Sequence, residues 1–156
     1  MALATASACA IGAVSSAPLA SGGVTAGPPL VSAALTQCVT SVTQSERSAT
    51  FAGEMSAIPG TVRMAIRVDV EQRLPGEALF RTVVAPGASA WRTSETKVKL
   101  FKYLKQVTDL LAPARSRATV RFRWLNAHGA TIRRASRVTK ACEQPASPAP
   151  VGVTGS

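Results

Sequence analysis

Histidine is the commonest acid–base group near neutral pH, and this chain has one, His128, in "NAHG" at 126–129 beside the single asparagine, Asn126. No carboxylate or nucleophile neighbours it, and the Gly129 turn places it in water. Asp69 and Glu71, in "RVDVEQR", would share one face of a strand, as a carboxylate pair for acid–base work must. Arg67 and Arg73 flank them, so exposed salt bridges are the better account. No serine occupies a G-x-S-x-G elbow, and neither a phosphate-cradling G-x-x-x-x-G-K loop nor a dinucleotide fingerprint occurs. One histidine and no C-x-x-C pair give no zinc set. The expectation is a non-enzyme without cofactor or metal.

Charge is the stronger signal. Lys and Arg number 18 against 8 Asp and Glu, a formal net charge of +10. Arg63 and Arg67 fall in one alternating stretch, Arg117, Arg121 and Arg123 in a second, and Arg133, Arg134 and Arg137 in a third. If the last two stretches pair as a hairpin, their arginines form a continuous basic patch. Such a patch attracts polyanions and anionic headgroups in a salt-dependent way. In "VRFRWL", Phe122 and Trp124 alternate with Arg121 and Arg123, so on a strand they point to the opposite face. Base stacking needs aromatics on the arginine face, and specific nucleic-acid recognition is therefore not expected. The expected partner is a cell-envelope polyanion or an acidic protein, bound by a monomer.

Those arginines require strands to position them. In "TVRMAIRVDVEQR", Val62, Met64, Ile66, Val68 and Val70 alternate with Arg63, Arg67, Asp69, Glu71 and Arg73, the pattern of a half-buried antiparallel strand. "RSATFAGEM" places Ala49, Phe51 and Gly53 on one face. "LPGE" at 74–77 suits a type II turn, "ALFRTVVAP" reads as a further strand, and "APGAS" at 85–89 as a loop. In "RATVRFRWL", Ala118, Val120, Phe122 and Trp124 share a face, and alternation breaks near Arg133–Ala135, which predicts a bulge. Residues 97–111 read two ways. A strand puts Phe101, Tyr103, Lys105 and Val107 on one face. A helix aligns Leu100, Leu104, Val107 and Leu111 opposite Lys102, Lys105 and Asp109. The β-rich surroundings favour the strand, with a short helix as the alternative. About seven strands with Pro/Gly turns give an all-β, antiparallel sandwich.

All charged residues lie between Glu46 and Glu143. The expected folded unit is 35–144, preceded by a disordered linker at 27–34 and followed by a disordered Pro/Gly/Ser tail at 145–156. Residues 1–26, uncharged and rich in small side chains, read as a signal peptide or export segment cleaved after Ala20 or Ala26. Lipidation at Cys9 is the alternative. Cys38 and Cys142, one at each end of the charged block, are expected to form the disulfide of an exported domain.

The stretches "FAGEMSAIPGTVRMAIRVDV", "VVAPGASAWRTS" and "DLLAPARSRATVRFRWLNAHG" resemble the immunoglobulin-like and fibronectin type III-like sandwich domains of secreted proteins from high-GC Gram-positive bacteria. The chain departs from them in having Ser116 or Arg117 where a corner tyrosine is frequent. The resemblance implies a secreted adhesive or accessory domain and assigns no site residues. The first functional reading is a secreted or cell-surface binding module with a basic face. The second is a small-ligand carrier or enzyme accessory with a pocket between its sheets, marked by Trp91. The third is contact with membranes through a basic amphipathic helix at 97–111.

Overall fold

The computed structural model describes residues 27–84 and 89–147. The proposed export segment 1–26 with Cys9, most of the 85–89 loop and the end of the tail lie outside the described residues. Strands run in the order β1 (Val31–Val39), β2 (Ser48–Ser56), β3 (Arg63–Arg73), β4 (Arg81–Thr82), β5 (Arg92–Thr93), β6 (Leu100–Thr108), β7 (Ala114–Leu125), β8 (Thr131–Val138) and β9 (Cys142–Gln144), with a 3-10 turn at Gln44–Glu46. A 3-stranded sheet has the order β1-β2-β6. It packs on a 6-stranded sheet of order β4-β3-β7-β8, in which β5 also pairs with β3 and β9 with β7. This is an antiparallel β-sandwich of immunoglobulin-like type.

Period-two alternation builds it. Met64, Ile66, Val68 and Val70 of β3, and Ala118, Val120, Phe122 and Trp124 of β7, are buried in a single core. Ala49, Phe51 and Met55 of β2 meet them from the smaller sheet. Gly53 lies between these because there is no room for more. A Cβ there would fall 2.7 Å from Val120 Cγ1 and 3.1 Å from Ile66 Cγ2. The buried indole of Trp124 donates from Nε1 to the Ser56 carbonyl at 2.7 Å, so its one polar group is satisfied across the sheets. The β3–β7 register is unbroken from Arg63↔Leu125 to Arg73↔Arg115. The turn at Leu74–Glu77 is closed by the Glu77 amide donating to Leu74 O, with Gly76 at φ +81°, as a type II turn demands.

Cys38 and Cys142 form a disulfide with a Cα–Cα distance of 5.4 Å across a sequence separation of 104. It joins β1 of the smaller sheet to β9 of the larger one. Beside it, Gln144 Nε2 donates to Val39 O at 2.9 Å.

The favoured strand reading of residues 97–111 holds, and three other features differ from the sequence expectation. Residues 97–111 form no helix: β6 pairs along its whole length with β2, from Ser56↔Leu100 to Ser48↔Thr108. Neighbouring β-structure outweighs the local helical spacing, and Leu100 and Leu104 are left exposed on the outer side of β6. "ALFRTVVAP" contributes only Arg81–Thr82, because β3 offers its free edge to two short segments, β4 and β5, rather than to one long strand. β1 starts at Val31, ahead of the expected Leu35 boundary, since Val31 is buried and pairs with Met55. The β8 irregularity falls at Ile132, between the pairs Trp124↔Arg133 and Leu125↔Thr131, just before the predicted site.

Candidate polyanion-binding face

The register of the larger sheet sorts the arginines. On β3 and β7, Arg67 stands opposite Arg121, Ala65 opposite Arg123 and Glu71 opposite Arg117. On β7 and β8, Arg123 stands opposite Arg134 and Arg121 opposite Ser136. Side chains at alternate positions share a face, so Arg63, Arg67, Arg117, Arg121, Arg123 and Arg134 all project from the outer face of this sheet. Arg133 and Arg137 do not join them. They pair with Trp124 and Val120, whose side chains are in the core, and so they leave β8 on the opposite side, at the sandwich edge. The Arg133 guanidinium lies 5.7 Å from the Trp124 ring centroid. The hairpin therefore divides the patch that the sequence suggested would be continuous.

Like charges facing each other across a ladder repel, and the acids on this face relieve that. Asp69 is only 4% exposed. Its Oδ1 accepts from Arg67 Nε at 2.7 Å, and its Oδ2 lies 3.0 Å from Arg121 Nε. That second contact is ionic, without the alignment of a hydrogen bond. Glu71 Oε2 accepts from Arg117 Nε at 2.8 Å and its Oε1 from the Thr119 hydroxyl at 2.7 Å. Both carboxylates brace guanidiniums rather than face an open site. The expected exposed pairs are thus corrected: Asp69 is buried, and the partner of Glu71 is Arg117, not Arg73.

Aromatic rings complete the face, and these were not legible in the local alternation. β5 pairs with β3 through Ala65↔Thr93 and Ile66↔Arg92, which brings Trp91 onto the outer side. The Arg123 guanidinium lies 4.0 Å from the Trp91 ring centroid. Ala65, in register between Thr93 and Arg123, is buried although it lies on the outer face. Farther along β3, Phe80 takes the Arg117 guanidinium at 3.9 Å and that of Arg73 at 5.0 Å. Contacts of this kind contribute roughly 0.5–1 kcal/mol each at exposed sites. Only the pairing of residues 81–82 and 92–93 with the free edge of β3 would have revealed them. The expectation of Trp91 marking a pocket between the sheets is corrected as well: the inter-sheet space is filled by core side chains, and Trp91 is outside it.

A groove of about 330 Å³ opens beside Trp91, lined by Arg121, Phe122, Arg123, Arg134, Ala135 and Ser136. No carboxylate lines it. Among the described residues, no acid pairs with Arg123 or Arg134, whereas Arg67, Arg117 and Arg121 each have one. A larger groove of about 710 Å³ lies at the sandwich end near β9, lined by Arg73, Glu77, Arg115 and Glu143 among others. Its charges are already matched, with Arg115 paired to Glu143 and Arg73 on Phe80.

His128 sits in an exposed turn whose geometry is set by Asn126, whose Oδ1 accepts from the amides of His128 and Ala130, each at 3.0 Å. Among the described residues, no group of three or more His, Cys, Asp or Glu is placed to hold a metal ion, and no helix is long and apolar enough to cross a membrane. No family model, curated protein or solved structure matches the chain.

Proposed function

We propose that this domain is a non-enzymatic binding module of the cell exterior. Its larger sheet would present an arginine face to anionic polymers of the envelope. One observation carries the reading: Arg121, Arg123 and Arg134 converge on a groove without a carboxylate. Arg123 and Arg134, with which no carboxylate pairs among the described residues, favour anionic ligands, Arg121 keeps an exposed guanidinium beside Asp69, and planar guanidinium forks match carboxylate and phosphate oxygens. The Cys38–Cys142 bridge supports a location where disulfides persist, outside a reducing cytosol.

Retention of the mature protein on an anionic matrix, eluted with a salt gradient, tests this. The Arg121→Ser, Arg123→Ser variant should elute at clearly lower salt than the parent, while Arg133→Ser, Arg137→Ser should shift much less. Equal shifts for the two pairs would mean that net charge alone governs retention and would overturn the reading. Retention only on an immobilised acidic protein, and not on phosphate or carboxylate polymers, would move the function to a protein partner.

A further inference from the structure

We infer that the groove beside Trp91 is a subsite for one anionic sugar unit, a ring bearing a carboxylate or phosphate, within the polymer held by the arginine face. This rests on the polyanion reading above and narrows it. A bare polyphosphate needs only cations. This groove adds an indole to them.

Three features define the ligand. The volume of about 330 Å³ is near the lower end for small-molecule sites, which suits one compact unit and not a long stretch of strand. The Trp91 indole is partly buried, with the Arg123 guanidinium 4.0 Å from its ring centroid, and the indole surface left open suits the C–H face of a sugar ring. Arg134 and Ser136 project from β8 on the same face. They supply guanidinium donors for the anionic group and a hydroxyl for a ring substituent. Arg121 faces the groove from the other side with its side chain 58% exposed. Asp69, buried behind it at 3.0 Å from Nε, fixes where that guanidinium sits. Asp69 is thus a positioning residue, and fixed donors bind at a lower entropic cost than free ones.

Nucleic acid is the competing occupant, since an indole among arginines also stacks bases. Here the Trp91 ring already carries the Arg123 guanidinium at 4.0 Å. The other aromatic of this face, Phe80, carries those of Arg117 and Arg73. A strand stacking successive bases would have to displace the cations at both rings, whereas a single sugar unit meets only the Arg123 guanidinium at Trp91.

The test compares three probes by titration at fixed ionic strength: a heparin oligosaccharide, inorganic polyphosphate and oligo(dT). Parent protein, Trp91→Ala, Trp91→Phe and Arg121→Ser, Arg123→Ser are compared, with thermal melts confirming the fold of each. Trp91→Ala should weaken the oligosaccharide about tenfold and polyphosphate less than threefold, and Trp91→Phe should recover most of the loss. The arginine pair should weaken both. Oligosaccharide affinity unchanged by Trp91→Ala would overturn the sugar subsite and leave the arginine face standing. Oligo(dT) binding that is tighter than the oligosaccharide and equally dependent on Trp91 would reassign the groove to nucleic acid. Failure of all three probes to bind would remove the polyanion reading itself.

Discussion

Removing the Cys38–Cys142 bridge is the perturbation whose size the structure sets most directly. The bond closes a loop with a sequence separation of 104. In the chain-entropy account, closing a loop of about 100 residues is worth about 4.7 kcal/mol at room temperature, acting on the unfolded ensemble. The Cys38→Ala, Cys142→Ala variant should lose that amount. It should lose about 1 kcal/mol more for the space left at Cys142, which is wholly buried. β9 remains paired with β7 through Ala114↔Gln144 and Ser116↔Cys142, so the native fold has other contacts to hold it. For a domain of about 115 residues, unfolding entropies of about 2.1 cal/mol/K per residue convert 4.7 kcal/mol to a fall in Tm of about 15–20 °C. Chemical denaturation of parent and variant is the assay, because it separates two effects. A released chain exposes more surface when unfolded, so the slope m should rise while the midpoint falls. A loss below about 1 kcal/mol with m unchanged would refute the reasoning and show that the unfolded chain is compact without the bridge.

Gly53→Ala should destabilise by about 1–3 kcal/mol through overpacking, since the new Cβ would meet Val120 Cγ1 at 2.7 Å. Glycine in a strand interior is otherwise a site where alanine gains roughly 0.5–1 kcal/mol, so a raised Tm would contradict the close approach of the sheets. Asp69→Asn leaves Arg67 and Arg121 opposed without a carboxylate between them. Breaking a fully buried pair costs about 3–5 kcal/mol. The side chains of Arg67 and Arg121 are 35% and 58% exposed, which reduces the expectation to about 1–2 kcal/mol. Asp69→Asn should also weaken anionic ligands despite raising net charge; tighter binding would show that Asp69 repels ligand and does not position Arg121.

The outer face also explains how so basic a chain folds. Guanidiniums opposed across β3 and β7 are separated by buried or half-buried acids, and others lie on aromatic rings. Compensation is uneven along the sheet. It is strong around Asp69 and Glu71; at the groove, among the described residues, no carboxylate pairs with Arg123 or Arg134, and Arg123 rests on the Trp91 ring.

Some of this was written in the chain itself. Alternation in 62–73 and 117–125 assigned each side chain to core or surface, because a strand has a period of two and only one face of each sheet is covered. The Cys38–Cys142 pair followed from cysteine arithmetic at the two ends of the charged block. Tertiary structure decided the rest. The helical spacing at 97–111 lost to pairing with β2, since a strand satisfies both the backbone and the facing core. Period two within β8 separates Arg134 from Arg133 and Arg137, but which of the two sides is the outer face depends on the β8 register against β7. The meeting of Trp91 with Arg123 joins residues of β7 and of the chain before β5 across β3. No local pattern encodes such a contact, because it exists only when strands distant in sequence share one sheet.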